Sequence, residues 1–361
     1  MSTSVLKGAV IGLQHLHPRG YMPLFCSNAA VEITCAYDPD ANMLQQFCRD
    51  FRLTGYTDID KLLDQQSPDF AALFLPHSEC AAVAVKCAER GIHLMIEKPI
   101  SNSLTGAMQI ADVVKKSGVK MTTGYCWRYH PAVVAMKEIF SGGGIGKLVS
   151  IEMRLAAGRI ERYITGHSEW MLQKEKSGGG PIMNLGVHWL DTAAFITGDS
   201  IAEVCAQNLF TSSEYDIEES SLVLMNFDSG ASGVLSTSYI VPDSFPGGRD
   251  LYIGLRGTKG VMSFSPRYAG EQGGGAHTDV LELYSSSNDM NGVSAQQFSF
   301  QLDAVDGYSG VLGKAYVENF TTAIQQGAMP EIGADDAVAV LQVVDAIYKS
   351  AEKKQWEKVK R

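Results

Sequence analysis

Short apolar segments alternate with amphipathic ones through the first third of the chain. The apolar segments are rich in β-branched residues or end in turn residues, and we predict strands at Leu6–Gly12, Val31–Asp38, Phe70–Pro76, His93–Pro99 and Lys120–Tyr125. Between them, helical spacing predicts Ala41–Phe51, Glu79–Arg90 and Leu104–Ser117. Strands that alternate with helices of this length form βαβ units, whose parallel strands are buried on both faces. The pattern therefore predicts an N-terminal parallel sheet.

The pattern changes after Tyr125. Lys147–Ala157 is a long alternating strand, and glycine-containing turns at 228–230 and 257–260 are typical of hairpins. Helices are predicted at Asn184–Ile196, Gly313–Gln326 and Asp335–Lys353. We expect an α/β protein with a dinucleotide-type domain at 1–125 and a second α/β domain at 126–312, built on an open, mostly antiparallel sheet. Residues 313–361 are expected to form helices that pack back on the body.

Composition narrows the function classes. The chain has 361 residues and a formal net charge of −10, which argues against sequence-independent nucleic-acid binding and against a polybasic membrane contact. No stretch approaches the ~20 apolar residues of a membrane span. The cysteine count is odd, at 7, and no C-x-x-C or signal-like start is present. We therefore expect a reducing compartment, the cytoplasm, and no partner among nucleic acids or membranes.

The first strand ends in a damaged dinucleotide motif. Gly12 occupies the first glycine position of G-x-G-x-x-G, but Gln14 and His17 replace the second and third. Asp38 ends the second strand about 20 residues further on, where a carboxylate binds the ribose hydroxyls and repels a 2′-phosphate. This favours NAD over NADP. The alternative for the glycine motif is a plain strand–turn–helix without a ligand. The alternative for Asp38 is that it begins a turn before the next helix, and this role is compatible with ribose binding.

Lys98 follows a buried strand, within Glu97-Lys98-Pro99. Ligands of open α/β sheets bind at the carboxyl ends of the strands. A lysine there can donate to a substrate hydroxyl and stabilise alkoxide character as hydride leaves, with Glu97 orienting it. The alternative is a surface ion pair.

A polar stripe follows the glycine-rich stretch at 178–180. Asn184, His188 and Asp191 stand at i, i+4 and i+7, which is one face of a helix. His188 can act as a general base because the ordinary pKa of histidine lies near working pH. A single buried histidine would more often be structural, but two polar neighbours on the same face favour function.

Taken together in this order, these motifs resemble the Gfo/Idh/MocA oxidoreductases, the family of glucose–fructose oxidoreductase, inositol 2-dehydrogenase and glycoside 3-dehydrogenases. Further points of resemblance are Pro76-His77, the segment from Arg128 to Pro131, and the Gly257-Thr258-Lys259-Gly260 hairpin. The resemblance implies a Rossmann domain followed by a sheet domain, with NAD or NADP as cofactor. It also implies oxidation or reduction at a hydroxyl or keto carbon of a sugar, glycoside or cyclitol, and a homodimer or homotetramer.

The same resemblance assigns residues to roles. Lys98 and His188 are the expected catalytic residues. The expected cofactor contacts are Gly12, Gln14, His15, Asp38, Pro76, His77, Glu97 and Lys98. Oxidation at the sugar 3-position and a cofactor retained between turnovers are options within the family.

Two departures from the family pattern stand out. Gln14 and His17 put ordinary pyrophosphate contact in doubt, and His15 and His17 can line the cleft instead. Asn184 replaces an aspartate that many members have, so it cannot raise the pKa of His188.

Substrate candidates cluster after the first domain. Aromatic and hydroxyl-binding side chains there are Tyr125, Trp127, Arg128, Tyr129, Arg159, Tyr163, His167 and Trp170. We expect Asn184, Asp191, Trp127, Arg128, Tyr163 and His167 to contact a sugar or glycoside.

Two alternatives to a sugar dehydrogenase remain. One is a non-catalytic regulatory protein that senses a dinucleotide or sugar; the altered motif and Asn184 favour it, and the retained Lys98 and His188 argue against it. Another is an enzyme that reduces an imine or an unsaturated ring. A metal enzyme is not expected, because no ligand spacing such as H-E-x-x-H is present.

Overall fold

The computed structural model describes residues 5–242, 244–267, 275–286 and 294–361. Its first sheet has six strands, namely β1 (Leu6–Ile11), β2 (Val31–Tyr37), β3 (Thr54–Tyr56), β4 (Phe70–Leu73), β5 (His93–Ile96) and β6 (Met121–Thr123). The helices between them are α1 (Pro18–Cys26), α2 (Ala41–Phe51), α3 (Ile59–Gln66), α4 (His77–Glu89) and α5 (Leu104–Ser117). All pairings are parallel, in the order β3-β2-β1-β4-β5-β6.

This order confirms the predicted Rossmann-type domain and fixes where a ligand can bind. The order reverses between β1 and β4, so a crevice opens at their carboxyl ends. Local signals set the helices. Asp40 caps α2 by accepting from the amides of Asn42 and Met43, and Ser103 caps α5. α2 and α5 therefore have the predicted bounds.

The second sheet is mixed and larger. Its strands in the described residues are β7 (Leu148–Ala157), β8 (Ile201–Leu209), β9 (Ser220–Phe227), β10 (Ser232–Ser238), β11 (Arg249–Gly257), β12 (Gly260–Phe264), β13 (His277–Ser285), β14 (Ala295–Leu302) and β15 (Glu357–Lys358). The order is β14-β13-β12-β11-β7-β10-β9-β8-β15. Only β7 and β10 pair in parallel among them, so the expectation of an open, mostly antiparallel sheet is confirmed, and both predicted hairpins form.

Helices cover one face of this sheet. They are α6 (Pro131–Ser141), α7 (Glu161–Thr165), α8 (Lys174–Ser177) and α9 (Val187–Thr197), and a π-helical turn, Ile182–Gly186, leads into α9. Burial alternates along β9 and β10, as expected for a sheet with one covered face. On the other face, apolar side chains of Leu222, Leu224 and Tyr284 are exposed.

The last two helices return to the first domain. They are α10 (Gly310–Gln326) and α11 (Ala334–Lys353), and α11 packs against α5 and β8. The Phe320 ring lies 5.8 Å from the Phe70 ring of β4. Among the described residues, none of the helices is both long and apolar enough to cross a lipid bilayer.

Candidate active site

A cavity lies where the carboxyl ends of β1 and β5 face the second domain. Side chains from the first domain, the sheet domain and the segment before α10 line it, including His15, His17, Lys98, Trp127, Tyr163, Asn184, His188, Arg249 and Tyr308. The cavity thus brings together both predicted catalytic residues, although 90 positions separate them in the chain. Parallel strands whose carboxyl ends share an edge explain the first-domain contribution.

Lys98 extends from the end of β5 into this cavity and is almost fully buried. Its Nζ donates to Asn184 twice, to Oδ1 at 2.7 Å and to the backbone carbonyl at 3.1 Å. The Lys98–Pro99 peptide bond is cis. Lys98 is therefore tied to the π-helical turn of the second domain, across the domain junction.

Asn184 is held from its other end as well. Its Nδ2 donates to the hydroxyl of Tyr163 at 2.6 Å and to that of Tyr239 at 3.1 Å. Arg162 also donates to the Tyr163 hydroxyl, at 2.6 Å. Because both ends of the amide are bonded, its orientation is fixed, and its oxygen faces the lysine.

His188 lies about one turn beyond Asn184 and lines the same cavity. It is buried, and its Nδ1 has no hydrogen-bond partner among the described residues. Burial, and then the charges of Lys98, His17 and Arg249, hold the pKa of His188 well below its usual range. The expectation of a pKa near working pH is therefore wrong. The imidazole is neutral at pH 7, which is the form that accepts a proton.

Asp191 and Arg128 do not line the cavity. They form a buried two-point ion pair, with Arg128 Nε 2.9 Å from Asp191 Oδ2 and its Nη2 2.5 Å from Oδ1. The same Nη2 lies 2.8 Å from Asp336 of α11. The structure thus places both residues in a link between α9 and α11, rather than in the substrate contact predicted from the sequence. The reason is that Asp191 finds a buried cation on a segment distant in sequence, which spacing on one helix cannot reveal.

Of the other predicted substrate residues, some line the cavity and one does not. Trp127 and Tyr163 line the cavity. His167 is exposed, lies outside the lining, and has a positive φ of 54°. Of the predicted second-domain contacts, the geometry therefore leaves Trp127, Tyr163, Asn184 and His188 available to a ligand.

The glycine turn keeps one requirement of a dinucleotide site. Gly12 has φ +86°, and a Cβ there would lie 2.8 Å from the Leu75 side chain and 3.0 Å from its amide nitrogen. At the next motif position, the Gln14 carbonyl accepts from Ser168 Oγ at 2.7 Å and from Trp170 Nε1 at 2.8 Å. The second domain therefore holds this loop through its backbone. Trp170, an aromatic candidate for sugar binding, instead serves this contact.

Asp38 supports the same turn from the end of β2. Its buried carboxylate accepts from the amides of Leu13 at 2.7 Å and Asp40 at 2.8 Å. Burial raises the pKa of Asp38, and these amide bonds oppose the rise. Asp38 thus orders the turn where a ribose is expected, while Asp40 serves as the helix cap.

His77 follows Pro76 at the start of α4 and is also buried. Its Nδ1 lies 2.8 Å from the Ser177 carbonyl oxygen, and its ring lies 4.8 Å from that of Trp170. Burial lowers the pKa of His77 to about 4.

The residues that remain around the crevice fit a dinucleotide. Gly12 makes room that a side chain would fill, Asp38 ends β2, and His77 and Lys98 follow β4 and β5 at the same edge. The sequence did not single out Tyr239 or Ser168, because sheet register and the domain junction bring them here, and neither leaves a pattern in the chain.

Two family models match the chain. Residues 6–125 match the oxidoreductase family with an NAD-binding Rossmann fold, and residues 133–263 match the GFO/IDH/MocA C-terminal domain. The scyllo-inositol 2-dehydrogenase (NAD(+)) of Bacillus subtilis is 24% identical over 347 residues, covering 94% of this chain and 92% of that protein. The D-xylose 1-dehydrogenase (NADP(+)) 2 of Haloferax volcanii is 24% identical over 299 residues, or 83% of each chain. The Escherichia coli D-glucoside 3-dehydrogenase is 23% identical, over 55% of this chain and 56% of its own.

Solved structures share the whole fold. A Kribbella flavida oxidoreductase domain protein superposes with a TM-score of 0.82 at 21% identity, covering 99% of this chain and 100% of its own. The aldose-aldose oxidoreductase of Caulobacter crescentus gives 0.79 at 20% identity, covering 98% and 99%. With both family models matched in order, the chain belongs to the Gfo/Idh/MocA family of NAD(P)-binding oxidoreductases.

Proposed function

We propose that this protein is an NAD-dependent dehydrogenase that moves a hydride between nicotinamide and a secondary hydroxyl or keto group of a sugar, glycoside or cyclitol. One observation carries the proposal: Lys98 and His188 line one cavity, with Lys98 held by Asn184. The relatives named for inositol, xylose and glucoside oxidation support the substrate class. Oxidation at the sugar 3-position is one option within it.

The protein groups handle the hydroxyl and its proton. Lys98 donates a hydrogen bond to the reacting oxygen and stabilises the negative charge that develops there. Neutral His188 accepts the hydroxyl proton. When bound, the nicotinamide would supply, at C4, the acceptor for the hydride that leaves the hydroxyl-bearing carbon of the substrate. The balance is one hydride to the cofactor, one proton to His188, and a carbonyl product.

Asn184 has a positioning role in this scheme. It fixes Lys98 through Oδ1 and is itself fixed by Tyr163 and Tyr239. Because its amide carries no charge, Asn184 does not raise the pKa of His188. His188 therefore acts as a base at pH values above its own pKa, where the imidazole is neutral.

We infer a preference for NAD from Asp38. A carboxylate at the end of β2 accepts from ribose hydroxyls and repels a 2′-phosphate. NADH should therefore bind at least about tenfold more tightly than NADPH, which corresponds to about 1.4 kcal/mol. Equal affinities would contradict this role for Asp38.

The test begins with purified protein and NADH. Energy transfer from tryptophan to nicotinamide reports binding, and a panel of sugars, cyclitols and glycosides with NAD is then followed by nicotinamide absorbance. Binding together with turnover of any panel member supports the proposal. Absence of both, with no nucleotide released on denaturation, contradicts it.

A regulatory protein on the same fold is the second candidate. The observation that favours it is the loop itself: Gln14 and His17 occupy glycine positions, and the second domain holds the Gln14 carbonyl. Such a protein binds NADH but transfers no hydride to any substrate. A retained cofactor can look the same, so the panel should be repeated with a keto sugar as acceptor, which restores turnover only in the enzyme.

We also propose a homodimer or homotetramer formed through the exposed face of the second sheet. Leu222, Leu224 and Tyr284 give this face an apolar surface. Light scattering after size-exclusion chromatography should show more than one chain, and Leu222→Glu with Leu224→Glu should shift the protein toward the monomer.

A further inference from the structure

The Rossmann wall of the cavity holds a buried carboxylate that the proposed reaction does not use. Glu97 is 5% exposed, and neither carboxylate oxygen has a hydrogen-bond partner among the described residues. The sequence suggested that Glu97 orients Lys98, and two hydrogen bonds of Lys98 go to Asn184. A buried charge without hydrogen bonds is costly unless a cation compensates it.

Two histidines of the glycine turn surround this carboxylate. His15 and His17 are 4% and 7% exposed, and one ligand atom from each lies with a Glu97 oxygen in a group spanning at most 4.8 Å. His17 Nδ1 is 3.4 Å from Glu97 Oε1. His15 Nε2 is buried without a hydrogen-bond partner among the described residues.

The geometry is close to that of a metal site. A Zn²⁺ ion about 2.1 Å from each of three ligand atoms places those atoms about 3.4 Å apart. The longest separation in the observed group must therefore shorten by up to about 1.4 Å, which side-chain rotation can supply. Two imidazoles and a carboxylate are a donor set that first-row divalent metals accept, and three protein ligands leave coordination positions open.

We propose that His15, His17 and Glu97 bind a divalent first-row transition-metal ion of the Zn²⁺ class, with its open positions toward the cavity. His15 and His17 both line that cavity beside Lys98. The Ser168 and Trp170 contacts to the Gln14 carbonyl hold the loop that carries both imidazoles. The absence of H-E-x-x-H spacing does not exclude such a site, because its third ligand comes from another strand.

One contact of His15 bears on binding. Its Nδ1 accepts a long 3.2 Å hydrogen bond from the His17 backbone. Coordination through Nε2 places the ring proton on Nδ1, so metal binding must break this contact and shift the loop slightly.

The chemistry of the open positions follows from the neighbouring side chains. A sugar hydroxyl in the cavity beside Lys98 is an oxygen ligand of the kind that these metals accept. A metal there would share with Lys98 the stabilisation of developing negative charge. This last step rests on the proposed function, whereas the metal site itself does not.

The test uses the full-length, untagged protein after dialysis against a chelator. Titration with Co²⁺ should give the visible absorption of a low-coordinate complex at one ion per chain, and Zn²⁺ should displace it. Glu97→Gln, which keeps the shape, and His15→Ala should each weaken Co²⁺ binding at least tenfold. Circular dichroism and the melting temperature check that each variant is folded.

The matched control is His277→Ala. His277 lines the same cavity but faces Asp279, 3.8 Å away, outside the proposed site. Its loss should leave Co²⁺ binding unchanged. No Co²⁺ retained by the wild type, or binding lost with His277→Ala and kept with Glu97→Gln, would overturn the site.

The experiment distinguishes failure of the proposed dehydrogenase function from failure of the metal site. Co²⁺ binding is measured without substrate, so a protein that binds the metal and NADH but oxidises no sugar keeps the site and loses the dehydrogenase. Turnover that is unchanged after metal removal overturns only the contact between metal and substrate.

Discussion

The two walls of the cavity differ in whether the polar side chains buried there are hydrogen-bonded. In the second domain, Tyr163 and Asn184 line the cavity with Tyr239 behind them, and both ends of the Asn184 amide are hydrogen-bonded. In the Rossmann domain, His15 and His17 line the cavity with Glu97 behind them, and the Glu97 oxygens have no hydrogen-bond partner among the described residues. Folding alone completes the hydrogen bonds of Asn184, whereas in the proposed metal site a bound cation compensates the Glu97 carboxylate. One wall is therefore suited to position groups and the other to receive a ligand.

The largest expected effect is on kcat and comes from removing the Lys98 ammonium group, which joins the two walls through Asn184. Lys98→Met should lower kcat by about 10²–10⁴-fold, because it removes the donor to the reacting oxygen. Steady-state kinetics measures this effect, and NADH titration checks that the cofactor site survives. Near-normal kcat in a folded variant would show that Lys98 only connects the walls.

The second effect concerns the ion pair behind the second-domain wall. Arg128→Met should lower the free energy of unfolding by about 3–5 kcal/mol, because it leaves the buried Asp191 carboxylate uncompensated. Urea denaturation measures the loss. Arg128→Met with Asp191→Leu should recover part of it. A raised KM with unchanged stability would instead restore the substrate-binding role predicted from the sequence.

Acid should destabilise the folded protein because it protonates buried histidines that are neutral in the folded state. The folded-state pKa of His77 is about 4, below the ordinary 6.5, so the unfolded chain binds more protons between these values. Stability is fully present above pH 6.5, and His77 alone should remove about 1.4 kcal/mol per pH unit as pH falls toward 4. Melting curves between pH 7 and about 4.5 measure the slope, since most of the interval between the two pKa values lies in that window.

A matched pair of variants tests the source of that slope. His77→Asn keeps a donor for the Ser177 carbonyl and should flatten the dependence, whereas His167→Ala, at an exposed position, should leave it unchanged. Equal slopes in both variants would assign the acid sensitivity to other groups.

The smallest expected effect is a shift in a pH profile. Asn184→Asp places a negative charge beside Lys98 and near His188, so the pKa of His188 should rise by about one unit. His188 must be neutral to accept a proton, so the acid limb of kcat/KM for oxidation should move to higher pH by the same amount. An unmoved limb would mean that His188 does not set it.

Local signals account for most of what could be predicted. Asp40 and Ser103 cap α2 and α5 within a few residues of each helix, and the bounds of both were predicted. Gly12 and Asp38 stand at the ends of β1 and β2, and the parallel order places them side by side. Lys98 and His188 were predicted as catalytic residues from motifs, and the structure brings them to one cavity.

Distant contacts account for what was missed. Spacing on a helix placed Asp191 with Asn184 and His188, but Arg128 from a segment before α6 pairs with it. The low pKa of His188 depends on burial by several elements, which residue type does not report. Likewise, His15 and His17 were expected to line a cleft, but their approach to Glu97 depends on β1 and β5 ending at one edge.

The sequence by itself determined the order of strands and helices, the glycine turn, and the residue types available for hydride chemistry, because these depend on periodicity, caps and short motifs. Only the tertiary structure decided which polar groups find partners and which do not. That outcome is set by burial and by contacts between segments far apart in the chain. It separates Asn184, whose amide is hydrogen-bonded at both ends, from Glu97, whose carboxylate oxygens have no hydrogen-bond partner among the described residues.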